Sequence, residues 1–506
     1  MNAGVNARVN DPEAALAARV LDALLREDYG GVRARVGDLF GRPVRLCGPG
    51  FLAERAVDPA QGLRLADVFG AVRALAHPDD DVAAFERECR EALAAIRLHE
   101  EIRPRTLARL AGLPRRGPGT FYDTLAAFTD HPVHPAGRCR LGLGRGDLER
   151  YAPEFAPSFE LRWAAVPQEK ITAVGARPLW WPEAPRAGHA MLPVHPLTAP
   201  LVREHLVPAP YLRVGPTLSM RTVAAAPFTH LKMPLPTSTL GLRNRRTIVP
   251  GTLPDGALAE RLLRGVLERE PHLPVLLPDE QTWGHAGSPL LGYLIRRFPA
   301  ALARAEVVPV AALLADDPAG GAVIERWDVA ALFGEYLDAL LAWNITLFRY
   351  GIALEAHQQN VSLVLDGGPL RLLVKDNDGA LVDPGTLAET LGAEAPFEDH
   401  RMRTRDPEAL ARVFVTITLH LCAAAVAHGL AARALLPLRT GLAMIRERLD
   451  ALLGPEDAFL RARTLDAPLL PTKAMVTAGT LVCKERTGAA DINKHYGPPC
   501  PNYLQA

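Results

Sequence analysis

Residues 355–378 read EAHQQNVSLVLDGGPLRLLVKDND. Two apolar runs, 361–365 and 370–374, flank Asp366-Gly367-Gly368, and this pattern predicts a strand–turn–strand hairpin. A hairpin returns its two ends to one place. One end offers Glu355, His357, Gln359 and Asn360; the other offers Lys375, Asp376 and Asp378, with Gly379 as a turn residue that lets backbone approach an anion. Alternation along the return strand puts Asp376 and Asp378 on one face. Working outward, the apolar period over 329–348 predicts a long helix before the hairpin, and 408–453 reads as helix after it. Residues 120–255 are rich in Pro and Gly, with short alternating runs at 211–214 and 230–235 that suggest sheet. Residues 258–268 look helical, with mixed structure to about 325. Nearer the start, Leu16, Val20, Leu21, Leu24 and Leu25 recur at helical spacing behind an Asp11-Pro12 cap, and 85–96 repeats the pattern. The fold class is therefore α+β, with helices segregated before and after a mostly antiparallel sheet region.

A chain of 506 residues can hold two or three domains. Its 48% hydrophobic and 23% charged content excludes a disordered or collagen-like chain. Lys plus Arg equals Asp plus Glu at 57 each, so charge does not call for nucleic acid. The first 25 residues lack the basic and apolar regions of a secretory signal. The most apolar stretch, 413–430, is broken by His420 and His428 and reads as a buried helix rather than a membrane span. Six scattered cysteines without a CxxC pair indicate reduced thiols and a cytoplasmic protein. Only six basic residues are lysines (170, 232, 375, 473, 484 and 494), so a Lys in this Arg-biased chain merits attention.

Three motif matches carry little. Ala76-His77-Pro78-Asp79-Asp80 follows a helical run and reads as a capping loop, not a zinc deacetylase signature. Gly142-Leu-Gly144-Arg-Gly146 lacks a βαβ context, and His131, His134 and Cys139 lack a fourth zinc ligand nearby. Two clusters carry more. Ser219, Arg221, Thr222, Lys232, Arg243, Arg245 and Arg246 combine hydroxyls with cations on adjacent strands, either an anion cradle or a solvated basic hairpin. The hairpin mouth places Asn and carboxylates as nucleotide enzymes place them to hold Mg²⁺. Its alternative is a capped hairpin with a solvated acidic turn.

These residues also carry a resemblance. Asp130-His-Pro-Val-His134-Pro135, Arg138-Cys-Arg140-Leu-Gly142, Tyr151-Ala-Pro-Glu-Phe155, Pro193-Val-His195-Pro196, Ser219-Met-Arg221-Thr222, Lys232, Glu355-Ala-His357-Gln-Gln359-Asn360 and Lys375-Asp376 occur in order. Together they resemble the NRPS-independent siderophore synthetases, the family of the aerobactin synthetases, over about residues 120–480. The resemblance implies a hand-like fold: a helical thumb (1–120), sheet-rich fingers (121–325) and a palm (326–506). It implies a cytoplasmic homodimeric ligase that uses ATP and Mg²⁺, with no nucleic-acid or membrane partner. That ligase adenylates citrate or a related polycarboxylic acid and condenses it with an amine or alcohol. Carried over by position, Ser219, Arg221, Thr222, Lys232, Gln359 and Asn360 would bind ATP. Glu355, Thr239, His357 and Arg138 would line the acid site, and Asp376, Asn360 and Asp378 would hold the metal. His357 and Lys232 would act in catalysis with Arg246 or Arg243. Between those two the choice stays open: Arg246 fits the local pattern, and Arg243 fits the spacing. The family usually has Lys where Arg138 stands and Arg where Lys375 stands. A kinase-like phosphotransferase is the alternative. It would want Asp five residues before the metal-binding Asn, and Glu355 stands there.

Overall fold

The computed structural model describes residues 11–41, 43–489 and 494–505. The first helix, Pro12–Glu27, starts where the Asp11 carboxylate accepts the Glu13 N–H, with Pro at its first position. It buries Leu16, Val20, Leu21 and Leu24 against Leu65–Leu75 and Val82–Leu110. The last of these is a 29-residue helix that extends the expected 85–96 pattern in both directions. The 76–81 loop caps it through Asp81, and Asp80 accepts a hydrogen bond from Tyr29 at 2.8 Å. The core of these helices also takes in Ala136, Cys139, Val476 and Leu481, so the N-terminal helices pack directly on segments that line the site.

An eight-stranded antiparallel sheet follows, in the spatial order Thr172–Val174, Asp279–Ser288, Leu291–Arg297, Thr229–Lys232, Thr222–Ala226, Tyr211–Pro216, Phe159–Pro167 and His189–Val194. The expected run at 230–235 ends as a strand at Lys232, just ahead of Met233 and Pro234; a proline has no N–H for the ladder. The hairpin over 279–297 falls where mixed structure was expected. Leu291–Arg297 is flanked on both sides by strands, and it sets Arg296 opposite His230, two positions along from Lys232.

A second, four-stranded sheet holds the expected hairpin. Val361–Leu365 pairs with Arg371–Val374 in the register Val361↔Val374, with Glu306–Pro309 antiparallel on one side and Val275–Leu276 parallel on the other. Helix Val329–Arg349, capped by Asp328, enters it. The segment Pro407–Ala432 is long and apolar enough to cross a membrane by length and composition, but 83% of its most apolar window is buried inside the protein. Its middle, Phe414–Ala424, is π-helical, which was not expected. The wider turn frees carbonyls for side chains. Leu421 O accepts from Gln358 at 2.6 Å, and Cys422 O accepts from Tyr336 at 3.1 Å. The first of these bonds anchors the residue next to His357. Mixed helix and antiparallel sheet is the expected α+β class.

Candidate active site

The two sheets meet at the mouth of the hairpin. Lys232, at the end of its strand and 4% exposed, donates from Nζ to Asp376 at 2.5 Å and to Asp378 at 2.9 Å. The return strand ends at Val374, and Asp376 takes a left-handed φ of +67°. Strand alternation therefore does not bring the two carboxylates together, as had been expected; the turn does. Gly379 likewise departs from expectation. Its φ is not positive, and a Cβ there would stand 3.0 Å from Glu355 Oε2, so the glycine makes room for Glu355 rather than for an anion. Arg296 Nη2 reaches Asp376 at 3.3 Å, and its Nε pairs with Glu280, whose Oε1 also accepts the Asp376 N–H at 3.1 Å. Burial alone would raise the Asp376 carboxyl. Lys232, Arg296 and Arg221 outweigh it and hold the group far below the usual carboxylate range.

Beside this cluster lies a cavity of about 140 Å³ lined by Ser219, Thr239, Arg246, His357, Gln359 and Arg140, among others. Ser219 sits in the tight turn between Tyr211–Pro216 and Thr222–Ala226, where Met220 has φ +63°. Its Oγ accepts the Thr222 N–H at 3.2 Å, and Thr222 stands opposite Lys232 in the ladder. The Gln359 N–H donates to His357 Nδ1 at 3.4 Å, which leaves the proton of a neutral ring on Nε2. Burial, and then the neighbouring Arg246, depress that imidazole to about 4. Burial, and then Arg221 and Arg140, push the Arg246 guanidinium down to about 9. Among the described residues no carboxylate lies in salt-bridge distance of Arg246 or Arg221. Arg246 Nε donates to Thr239 Oγ1, and Arg221 donates to the Thr247 carbonyl at 3.0 Å. Arg246 thus stands beside His357 with no carboxylate in salt-bridge distance among the described residues, and Asp376 acts on both from farther away.

Other expected residues stand elsewhere. Arg243 turns away and donates to the Ala478 carbonyl at 3.1 Å, while Arg245 is exposed. Arg138 pairs with Asp130 at 2.7 Å and lines a neighbouring cavity of about 580 Å³ that shares Thr129, Asp130, Pro132, Ala311 and Gln358 with the first. Glu355 is bound to Lys473 at 3.1 Å and does not line the His357 cavity. Asn360 is buried beside it, and its carbonyl accepts the Lys375 N–H at 3.0 Å. Sequence reasoning weighed His131 only as a zinc ligand and passed over Arg140, both of which line the cavity, and it missed Glu280, Arg296 and Lys473. The first two lay in the motif stretches already quoted, and Lys473 is one of the six lysines. Only the pairing of 279–297 into the sheet could find Glu280 and Arg296.

A family model described as "IucA / IucC family" matches residues 120–315, which contain the Ser219 turn, Lys232 and Arg246. Over those residues the chain resembles the IucA/IucC family. A second model, described as "Ferric iron reductase FhuF-like transporter", matches 329–486, the part of the chain that carries the hairpin. Rhizobactin siderophore biosynthesis protein RhbC of Rhizobium meliloti is 26% identical over 433 residues, covering 72% of each chain. A Staphylococcus aureus protein named 2-[(L-alanin-3-ylcarbamoyl)methyl]-3-(2-aminoethylcarbamoyl)-2-hydroxypropanoate synthase is 25% identical over 340 residues. That alignment spans about half the length of each protein, 54% of both. The fold is shared more widely. ATP-bound aerobactin synthetase IucA of Klebsiella pneumoniae superposes with a TM-score of 0.72 at 19% identity, over 97% of this chain and 99% of that one. Petrobactin biosynthesis protein AsbB of Bacillus anthracis gives 0.73 at 15% identity.

Proposed function

We propose that this protein is an ATP-dependent synthetase that joins a polycarboxylic acid such as citrate to an amine or alcohol in siderophore-type biosynthesis. The observation that carries the reading is the desolvated Arg246 guanidinium, with no carboxylate in salt-bridge distance among the described residues, beside a neutral His357 in one cavity. Such a site is poised for two anions, a triphosphate and a carboxylate, that must be brought together against their mutual repulsion. In the first half-reaction a carboxylate oxygen attacks the α-phosphorus, the bond to the β-phosphate oxygen breaks, and pyrophosphate leaves. In the second, the amine or hydroxyl attacks the acyl carbon, the acyl–oxygen bond breaks, and AMP leaves as the nucleophile gives up its proton. Arg246 and Thr239 hold the acid. Ser219, Arg221, Thr222 and Lys232 cradle phosphates, with Gln359 and Asn360 beside them. His357 donates from Nε2 to the oxygens on which charge builds.

Mg²⁺ takes one or two protein carboxylates and completes its shell from phosphate and water. Asp376 and Asp378 already converge on one cationic point, the Lys232 ammonium, so the donor set suits such an ion. Asp376, with Asn360 and Asp378, would hold it, and the ion would neutralise charge on the phosphates. Asp376→Asn is expected to raise the Mg²⁺ requirement more than Asp378→Asn, because Asp376 is the more enclosed of the two. Mg²⁺ titrations of the rate check this, and the reverse order would move the site by two residues.

Product analysis tests the whole reading. With ATP, citrate and a mixture of amines the expected products are AMP and pyrophosphate. ADP would establish phosphoryl transfer instead, and unchanged ATP would remove the enzymatic reading.

A further inference from the structure

The His357 cavity is walled on one side by loop 237–246, and the tip of that loop is tied to parts of the chain far away in sequence. The Gly241 N–H donates to Glu88 Oε1 at 2.9 Å and the Leu242 N–H to Thr480 Oγ1 at 2.8 Å. The Arg243 N–H donates to the Gly479 carbonyl at 3.0 Å. Thr480 Oγ1 in turn donates to Glu88 Oε2 at 2.7 Å. Gly241 has φ +111°, and a Cβ there would lie 2.7 Å from Gly479 Cα, so the loop tip and the π-helical turn Thr477–Leu481 touch backbone to backbone. That turn is pinned in its own right: Glu27 accepts the Val476 N–H at 3.0 Å and the Thr477 N–H at 2.8 Å. Glu88 is 1% exposed. A carboxylate so deeply buried is costly unless its oxygens are satisfied, and two of the groups that satisfy them belong to the loop tip and the turn it rests on.

We propose that Glu88 is a positioning residue for the acid site: it touches no substrate, and it straps loop 239–246 to the 477–481 turn so that Thr239 and Arg246 face His357. The strap opposes a specific force. Arg246 is desolvated beside two other guanidiniums, with only a threonine hydroxyl as partner on this loop, so an untethered loop would relax by moving that charge towards water. The long N-terminal helix then contributes to acid binding from outside the cavity. This inference rests on the proposed function for what Arg246 grips.

The test uses the full chain with Glu88→Ala, Glu88→Gln and Thr480→Val, reading ATP–pyrophosphate exchange with citrate as the acid. Glu88→Ala is expected to raise the KM for citrate about tenfold or more, the size of effect that small misplacements produce. The KM for ATP should stay within about twofold, because the Lys232–Asp376 cluster is held by other strands. Glu88→Gln should restore much of the loss, since its amide oxygen can accept from Gly241 and its NH₂ can donate to Thr480. Thr480→Val removes half of the strap and should move the citrate KM in the same direction should Glu88→Ala fold poorly. Equal shifts in both KM values, or a rate that falls only with the folded fraction, would overturn the proposal. Hydrogen exchange gives a readout independent of activity. In Glu88→Ala the amides of 240–243 should exchange about tenfold faster, with those of hairpin 361–374 unchanged. Unchanged exchange at 240–243 would reject the strap. An inactive wild type would reject the functional reading alone.

Discussion

His357→Ala is expected to lower adenylate formation on the order of 10²–10³-fold while leaving the protein folded. The factor is that of losing one donor aimed at charge that develops in the transition state. The ring lines the cavity rather than the core, and among the described residues its one hydrogen bond accepts from the Gln359 N–H, so its removal costs little packing. ATP–pyrophosphate exchange and a thermal melt check the two halves of the statement, and an exchange rate equal to wild type removes His357 from the mechanism. The ring also has a pH signature. Burial and Arg246 hold its free-enzyme value at about 4, so above that pH it is neutral. kcat/KM should show no inflection from His357 between pH 5.5 and 8. An inflection near 6.5 that disappears in His357→Ala would mean that the ring is solvated and charged at neutral pH.

Lys232→Met should have the largest combined effect on stability and ATP use. It leaves the Asp376 and Asp378 carboxylates near each other, with Arg296 as the remaining cation in salt-bridge distance, 3.3 Å from Asp376, among the described residues. Removing one partner of a buried pair costs about 3–5 kcal/mol, and Arg296 places the expected loss towards the lower end. ATP binding should fall to the detection limit. Lys232→Arg is not a repair: the planar fork needs more room than an enclosed ammonium, and the site is already shared with Arg296 and Arg221. The Asp376 carboxyl is depressed in the folded state, so its contribution is present above the unfolded value near 3.9 and is lost as pH falls through the lower folded value. Losing Lys232 raises that folded value. Lys232→Met should therefore unfold at a higher pH than wild type on acid titration; coincident acid transitions would show that the ammonium does not stabilise the carboxylate.

Sequence reading located the hairpin, its register-defining turn and the residues at its mouth, because period-two alternation and a Gly-rich turn are local properties of the chain. It also singled out Lys232, since a lone lysine in an apolar strand stands out against an arginine-rich composition. Between Arg243 and Arg246 it could not choose. Both lie in one loop, and the choice depends on the left-handed residues Leu240 and Gly241, which turn the Arg243 side chain towards the Ala478 carbonyl and leave Arg246 beside Thr239.

Local pattern by itself therefore determined the central hairpin, the long helices around it, the α+β class and most of the residue types that the chemistry needs. Tertiary structure decided which of those residues meet. Arg296 and Glu280 joined the Lys232 cluster only through pairing of strands more than sixty residues apart for one of them, and Glu355 was claimed by Lys473 across 118 positions. The stretch 414–424 read as helix, but its π-helical form and that of 477–481 did not show in the apolar pattern, since they depend on the distant groups that meet their backbone. The physical reason is common to all of these. Burial and charge pairing are set by what packs opposite a residue, and a single strand or helix does not encode what lies across from it.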